Sequence, residues 1–210
     1  MQIYDITRPI TPELAVWPGD TPYSHVWVMR LDQGDSVNVS TLTLSAHTGT
    51  HADAPYHYAE GGAKVGELPL DAYIGPATVI HLEHTGPILP EHLAGVELAR
   101  VQRLLVRTVA STRGDADWSE DIAYPTPATI DLLARHGVRL FGTDAPSVDP
   151  IDSKTLDAHH ALHRHGMVNL ENLLLRDVPP GEYELIALPL KLPLVDGSPV
   201  RAILREWLQV

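Results

Sequence analysis

Three imidazoles and one carboxylate, His47, His51, Asp53 and His57, stand at relative positions 0, 4, 6 and 10 of the run Ala46-His47-Thr48-Gly49-Thr50-His51-Ala52-Asp53-Ala54-Pro55-Tyr56-His57. These are metal-ligating residue types. All four share parity, yet a straight strand rising about 3.3 Å per residue would put His47 and His57 roughly 33 Å apart. A helix would stack His47 on His51, with Cβ atoms about 5–6 Å apart. Gly49 weakens that helix, and Pro55 drives Ala54 toward extended backbone. The stretch is therefore expected to be a coiled loop that folds His47, His51 and Asp53 around a zinc-like cation. At bond lengths of roughly 2.0–2.2 Å, three protein ligands would leave one position for water. The alternative is a polar loop whose histidines only form hydrogen bonds.

The flanking elements must hold this loop. Val26–Met29 and Ser36–Leu44 alternate apolar with polar residues, as half-buried strands do, around a Gly34-Asp35 turn. The second runs straight into His47 and would anchor the loop at a sheet end. A β–α–β order is expected from a strand at Ala77–Leu82, a weaker helix at Glu91–Ala99 and a strand at Arg103–Thr108. Gly114–Asp121 reads as an acidic loop. Thr126 caps a helix that has Pro127 at its first position and stops at Gly137, and Val138–Phe141 follows as a strand leading to Asp144. A turn or capping role is assigned to Asp144. Tyr183–Leu192 reads as an interior strand and Ser198–Trp207 as a last one. Many strands with few helices make the class α/β.

A second histidine group lies at Asp157-Ala158-His159-His160-Ala161-Leu162-His163-Arg164-His165, with Glu171 beyond it. Most of these histidines would be solvated on an exposed helix. Glu171 sits among leucines expected to face the core, with Asn169 as a helix cap, and a carboxylate so placed needs a partner.

Composition narrows the function classes. Fifteen Lys and Arg against 27 Asp and Glu give a net charge of −12, which opposes nucleic acid and anionic membranes. There is no cysteine, so nitrogen and oxygen must hold any metal. No apolar run approaches the ~20 residues of a membrane span, and the start Met1-Gln2-Ile3-Tyr4-Asp5 lacks the profile of a signal peptide. A cytoplasmic protein with residues 1–210 in one domain is the expectation. There is no Gly-rich phosphate loop and no Ser-centred nucleophile elbow.

The run from His47 to His57 resembles the signature of the cyclase-type metal-dependent amidohydrolases. Trp17-Pro18-Gly19-Asp20-Thr21-Pro22, Gly142-Thr143-Asp144-Ala145-Pro146-Ser147 and Tyr183-Glu184-Leu185-Ile186-Ala187-Leu188-Pro189-Leu190-Lys191-Leu192 resemble the bacterial kynurenine formamidases in particular. The resemblance implies a swivelling β/β/α domain with a mixed central sheet, a homodimer, and two divalent ions, zinc with manganese as the alternative. It adds His159 and Glu171 as ligands, with His160 the fallback. His47, His51 and Asp53 would bind one ion and His159 the other, with Asp53 and Glu171 bridging. Trp17 would stack on the aryl ring of the substrate. His57 would carry a proton to the departing amine, and a fourth-ligand role is the competing reading. The implied reaction is hydrolysis of N-formyl-L-kynurenine to kynurenine and formate. Isatin or another cyclic amide is the nearest alternative substrate, and a noncatalytic metal-binding protein is the alternative from another class.

Overall fold

The computed structural model of the protein describes residues 2–206. In chain order it contains strands β1 (Ile3–Asp5), β2 (Ser24–Met29), β3 (Val39–Thr43), β4 (His51–Asp53), β5 (Ile74–His81), β6 (Gly86–Ile88), β7 (Arg103–Arg107) and β8 (Ala123–Pro125). Helix α1 (Pro127–Arg135), β9 (Leu140–Thr143), α2 (Asp157–Arg164), β10 (Val168–Leu170), β11 (Gly181–Ile186), β12 (Gly197–Pro199) and β13 (Ile203–Glu206) complete it.

A seven-stranded sheet, in the order β1-β13-β11-β5-β7-β9-β10, organises the molecule. It is mixed. The pairings β1/β13, β13/β11 and β11/β5 are antiparallel, whereas β5/β7, β7/β9 and β9/β10 are parallel. The fold is thus α/β with a mixed central sheet and a few short helices. Strands in the parallel half are covered on both faces and read as continuous apolar runs. Leu105 and Leu140 enter a core with Tyr73, Leu170 and Leu185. Their neighbours Leu104, Val106 and Phe141 point the other way, into a core with Ile130, Leu133 and Leu162 from α1 and α2.

Helix α1 forms where its capping signals place it. The Thr126 side chain accepts from Thr129 N–H, Pro127 opens the first turn, and Gly137 follows with φ +81°. Other expectations need correction. Between β5 and β7 there is no α-helix over Glu91–Ala99 but two 3₁₀ turns, Pro90–Leu93 and Leu98–Arg100. Gly95 lies between them, where a regular helix would be weakened. The strand expected over Tyr183–Leu192 stops at Ile186. Pro189 and Pro193 can donate no ladder hydrogen bond, and the leucines that follow, Leu188, Leu190 and Leu192, are exposed. The strand expected over Ser198–Trp207 is split into β12 and β13, and Trp207 lies outside the described residues.

The ligand stretch is not wholly coil. Turns over residues 46–50 lead into β4, which pairs antiparallel with β12 through Gly197↔Asp53, Ser198↔Ala52 and Pro199↔His51. Strand alternation in β4 sends Ala52 to the core and His51 and Asp53 together to the other side. Strand β3 pairs only with β2, in a separate hairpin, so the loop is anchored mainly by β12.

After β4 the chain turns back over itself at Pro55–His57, and Gly62 packs against that turn. A Cβ on Gly62 would fall 2.5 Å from Pro55 C, 2.6 Å from Pro55 O and 2.7 Å from Tyr56 N, all backbone atoms. Gly62→Ala should therefore cost about 1–3 kcal/mol, the usual penalty for forced overpacking. Gly95→Ala, which meets nothing within 4 Å, should stay within about 0.5 kcal/mol. Urea melts of the two variants measure the contrast, and equal midpoints would refute the packing argument.

Candidate metal centre

Strand β4 carries His51 and Asp53 into the interior, where both side chains are buried. Across from it, Glu171 follows β10 and exchanges two backbone hydrogen bonds with His51: His51 N–H to Glu171 O at 3.2 Å and Glu171 N–H to His51 O at 3.0 Å. The next residue, Asn172, takes φ +54° and its carbonyl accepts from the Thr50 hydroxyl at 2.7 Å. His159 comes from the first turn of α2. Its partner Asp149 caps that helix, accepting from Ala158 N–H at 2.9 Å and His159 N–H at 3.0 Å, and also from the His159 ring at 2.7 Å.

One nitrogen of each imidazole in the cluster is therefore committed as a donor. Carbonyl and ionised carboxylate oxygens can only accept. His51 Nδ1–H donates to Gly49 O at 2.9 Å, His159 Nδ1–H to Asp149 Oδ2, and His47 Nε2–H to Asp196 Oδ2 at 3.0 Å. The other nitrogen of each faces the carboxylates. His47 Nδ1 lies 2.8 Å from Asp53 Oδ1. His51 Nε2 lies 3.4 Å from both Asp53 Oδ1 and Glu171 Oε2. His159 Nε2 lies 3.3 Å from Asp53 Oδ2 and 3.5 Å from Glu171 Oε1.

The His47–Asp53 contact at 2.8 Å has hydrogen-bond length, but the His51 and His159 separations of 3.3–3.5 Å are long for hydrogen bonds and suit a shared metal. Two ligands each about 2.1 Å from a tetrahedral zinc ion stand roughly 3.4 Å from one another. Asp53 Oδ1, fully buried, has no hydrogen-bond partner of acceptable geometry. The candidate ligand atoms fall into two sets, each with all atoms within 4.8 Å of one another: His47, His51 and Asp53, and Asp53, His159 and Glu171. Asp53 belongs to both. Its two oxygens point to different sets, as a bridging carboxylate requires, and Glu171 likewise faces His51 with one oxygen and His159 with the other.

Electrostatics give the same answer. Burial would pull the His51 imidazolium down, but the Asp53 and Glu171 carboxylates outweigh it and hold the group at about 10. Desolvation opposes the charge on Asp53, yet contacts with His159, His47 and His51 keep its pKa well below the ordinary carboxylate range. Glu171 is also pushed up by burial and by Asp53, and is brought down on balance by His159 and His51. The site demands positive charge, whether from protons or from metal ions.

The remaining expected site residues lie at the rim. His57 is 36 % exposed at its side chain, and its Nδ1 donates to Asp196 Oδ2 at 3.2 Å. Its ring centroid is 4.2 Å from that of His47 and 6.1 Å from that of His159. With His47 and Asp196 it forms a third group of close donor atoms. Trp17 lines a cavity of about 440 Å³ whose wall also includes His47, His51, His57, His159 and Glu171. His160 is not in any of these groups; its ring lies 5.8 Å from that of Tyr58.

Several residues enter that the motifs did not announce. Asn169 is not a helix cap but a member of β10, and its amide donates to Asp53 Oδ2 at 2.7 Å and Glu171 Oε1 at 3.1 Å. Asp149 accepts from the His159 ring, and Asp196 from the rings of His47 and His57. Trp118, in the acidic loop, lines the cavity and packs edge to face on Trp17 with ring centroids 5.4 Å apart. Asp144 is buried, as a capping residue: its carboxylate accepts from the backbone and hydroxyls of Thr108 and Ser111 at 2.6–3.0 Å.

The family model described as putative cyclase matches residues 4–150, which include the whole His47–His57 run. The chain belongs to that family, the cyclase-type metal-dependent hydrolases. It is similar to a solved structure described as a potential metal-dependent hydrolase with cyclase activity, at 28 % identity over 98 % of both chains with a TM-score of 0.84. A predicted metal-dependent hydrolase from Bacillus stearothermophilus is 29 % identical over 97 % of both chains, with a TM-score of 0.81. Isatin hydrolase A from Labrenzia aggregata, solved with benzyl benzoate, is 28 % identical over 97 % of this chain and 93 % of its own, with a TM-score of 0.82.

Removing metal should expose the charge balance. Protonated His51 stabilises the metal-free fold fully below the ordinary imidazole value of 6.5, and that contribution disappears as pH rises toward about 10. The lowered carboxylates act in the opposite sense, contributing above the ordinary Asp and Glu values of 3.8 and 4.5 and losing that contribution in acid. Chelator-treated protein should thus show a Tm that falls between pH 6.5 and 10, whereas zinc-loaded protein, with ions in place of the protons, lacks this component. Parallel thermal melts across that window test it; superimposable profiles would contradict the assignment of the cluster.

Proposed function

We propose that this protein is an amide hydrolase that cleaves the C–N bond of an anilide carrying a carbonyl group ortho to the nitrogen, with His47, His51, Asp53, His159 and Glu171 holding two divalent ions, zinc or manganese. The observation that carries the reading is the paired ligand set, joined through Asp53, at the wall of a cavity flanked by two tryptophans. Isatin and N-formylkynurenine both belong to this chemical class. Likeness to isatin hydrolase A favours the cyclic amide, and the stretches around Trp17, Thr143 and Tyr183 that resemble kynurenine formamidases favour the formamide.

Bound divalent ions would supply an activated water and polarise the amide carbonyl. Everything else is the work of side chains. Trp17 and Trp118 offer aromatic surface to the aryl ring. His57, with Nδ1 committed to Asp196, keeps Nε2 for a proton and is close enough to the ligand cluster to pass it to the departing aryl nitrogen. Asn169 holds the two carboxylates side by side without adding charge.

Assay of purified protein with isatin and with N-formylkynurenine is the direct test. One of them should be hydrolysed, chelation should abolish turnover, and a divalent ion should restore it. Full activity in metal-free protein, or no activity on either compound, would overturn the reading. Trp17→Ala should raise KM more than it lowers kcat, because an aromatic wall binds ground and transition states alike.

A homodimer is proposed on the hairpin of β2 and β3. Val26, Trp27, Val28, Val39 and Leu42 are all exposed in the isolated chain, which leaves both faces of the ribbon uncovered. A second copy of this chain would bury them. Sedimentation should give twice 23.0 kDa and Trp27→Glu should shift the protein toward monomer; a monomeric parent protein would dismiss the proposal.

A further inference from the structure

Asp196 is outside the cavity wall, yet it touches two residues of the site. One oxygen, Oδ2, accepts from His47 Nε2–H at 3.0 Å and from His57 Nδ1–H at 3.2 Å, across sequence separations of 149 and 139 residues. Its position is fixed by the backbone. Ala54 N–H donates to Asp196 O at 2.8 Å, and the next residue, Gly197, is paired with Asp53 in the β4/β12 ladder. Gly197 also lets the His47 ring lie against this strand, since a Cβ there would stand 2.9 Å from His47 Cε1 and 3.2 Å from Ala52 O. The strand that positions a metal-bridging carboxylate thus positions Asp196 as well.

We infer that Asp196 is a positioning residue serving both histidines, holding His57 with Nε2 free for proton transfer and His47 with Nδ1 free for a metal ion. The kinetic part of this inference rests on the amide-hydrolase reading above. An imidazole carries one hydrogen when neutral, and the nitrogen that donates to a carboxylate is the one that keeps it. A single acceptor shared by the ligand and the proton carrier fixes both tautomers at once. It also fixes the separation of the two rings. Without it, His57 is a rim side chain free to rotate and to adopt the Nε2–H form, which cannot accept a proton on the nitrogen facing the substrate.

Asp196 is 39 % exposed at its side chain, so replacing it opens no cavity and the variants should fold. Zinc-loaded protein labelled with 15N at histidine gives the first readout, with His57→Ala identifying the His57 signals. His57 should appear as the Nδ1–H tautomer in the parent protein, lose that state in Asp196→Ala, and regain it in Asp196→Asn, whose carboxamide oxygen still accepts. A His57 tautomer unchanged in Asp196→Ala would overturn the inference. Kinetics at zinc saturation, with metal content measured for every variant, give the second readout. Asp196→Ala should lower kcat about 10- to 100-fold with KM within about twofold, Asp196→Asn should recover most of it, and in the His57→Ala background Asp196→Ala should cost much less, only what it contributes through His47. Equal penalties in both backgrounds would show that Asp196 does not act through His57. If the parent protein hydrolyses neither isatin nor N-formylkynurenine, the functional reading fails while the spectra still decide the role of Asp196.

Discussion

Two carboxylates buried side by side, Asp53 and Glu171, set the terms for the rest of the site. Each is fully enclosed, and Asp53 raises the proton affinity of Glu171 by direct repulsion. Isolated in an apolar interior, such a pair would not remain ionised. The surrounding donors are arranged to keep it so: three imidazole nitrogens aimed inward, the Asn169 amide on both carboxylates, and Val148 N–H on Glu171 Oε1 at 2.9 Å. Neutral donors reduce the cost of burial without removing the demand for cations. That demand can be met by protons on the imidazoles or by divalent ions, and in either form removing one buried partner leaves the others uncompensated.

The sheet explains why these groups meet. In its parallel half, β7, β9 and β10 all end on the same side, and their carboxyl ends lead to Thr108, Asp144 and Glu171 respectively. Ligand sites in open parallel sheets gather at such ends. Asp144 there ties the segment after β7 to the one after β9, and Arg8 reaches Asp115 at 2.8 Å to pin the loop that carries Trp118. The antiparallel half has a different task. It returns the chain so that β12 can lie beside β4, which orients Asp53 and brings Asp196 against His47 and His57.

Local chemistry was legible in the sequence where the information was local. His47, His51 and Asp53 lie close together along the chain, and the cap of α1 is written in Thr126, Pro127 and Gly137. What escaped was non-local or depended on tertiary context. Asn169 reads as a cap by type, and only the pairing of β10 with β9 shows that it points at two carboxylates. Asp149 and Asp196 are unremarked aspartates in turn-rich stretches until their histidine partners are placed in space. The tail after Ile186 reads as interior strand because it is strongly apolar, but its prolines end the ladder and its leucines face outward. Such outward leucines resemble core to any reading that lacks a partner surface.

On the proposed reading, substrate choice must be made away from the residues that would hold the ions. A cyclic amide and a formamide present the same reacting atoms, a carbonyl carbon and an aryl nitrogen, and the five side chains proposed as ligands would have no means of telling the ring from the open form. Discrimination therefore belongs to the cavity wall, chiefly the loops that carry Trp17 and Trp118. Those loops are joined by Ala15 N–H to Asp115 O at 2.9 Å and by the edge-to-face contact of the two indoles. Neither loop contributes a member of the candidate ligand groups, so their shape can vary while the charge balance around Asp53 and Glu171 stays intact. Chains of this fold that share the ligand set can accordingly differ in substrate, and identity in the His47–His57 run carries less weight for specificity than the course of residues 11–20 and 109–121.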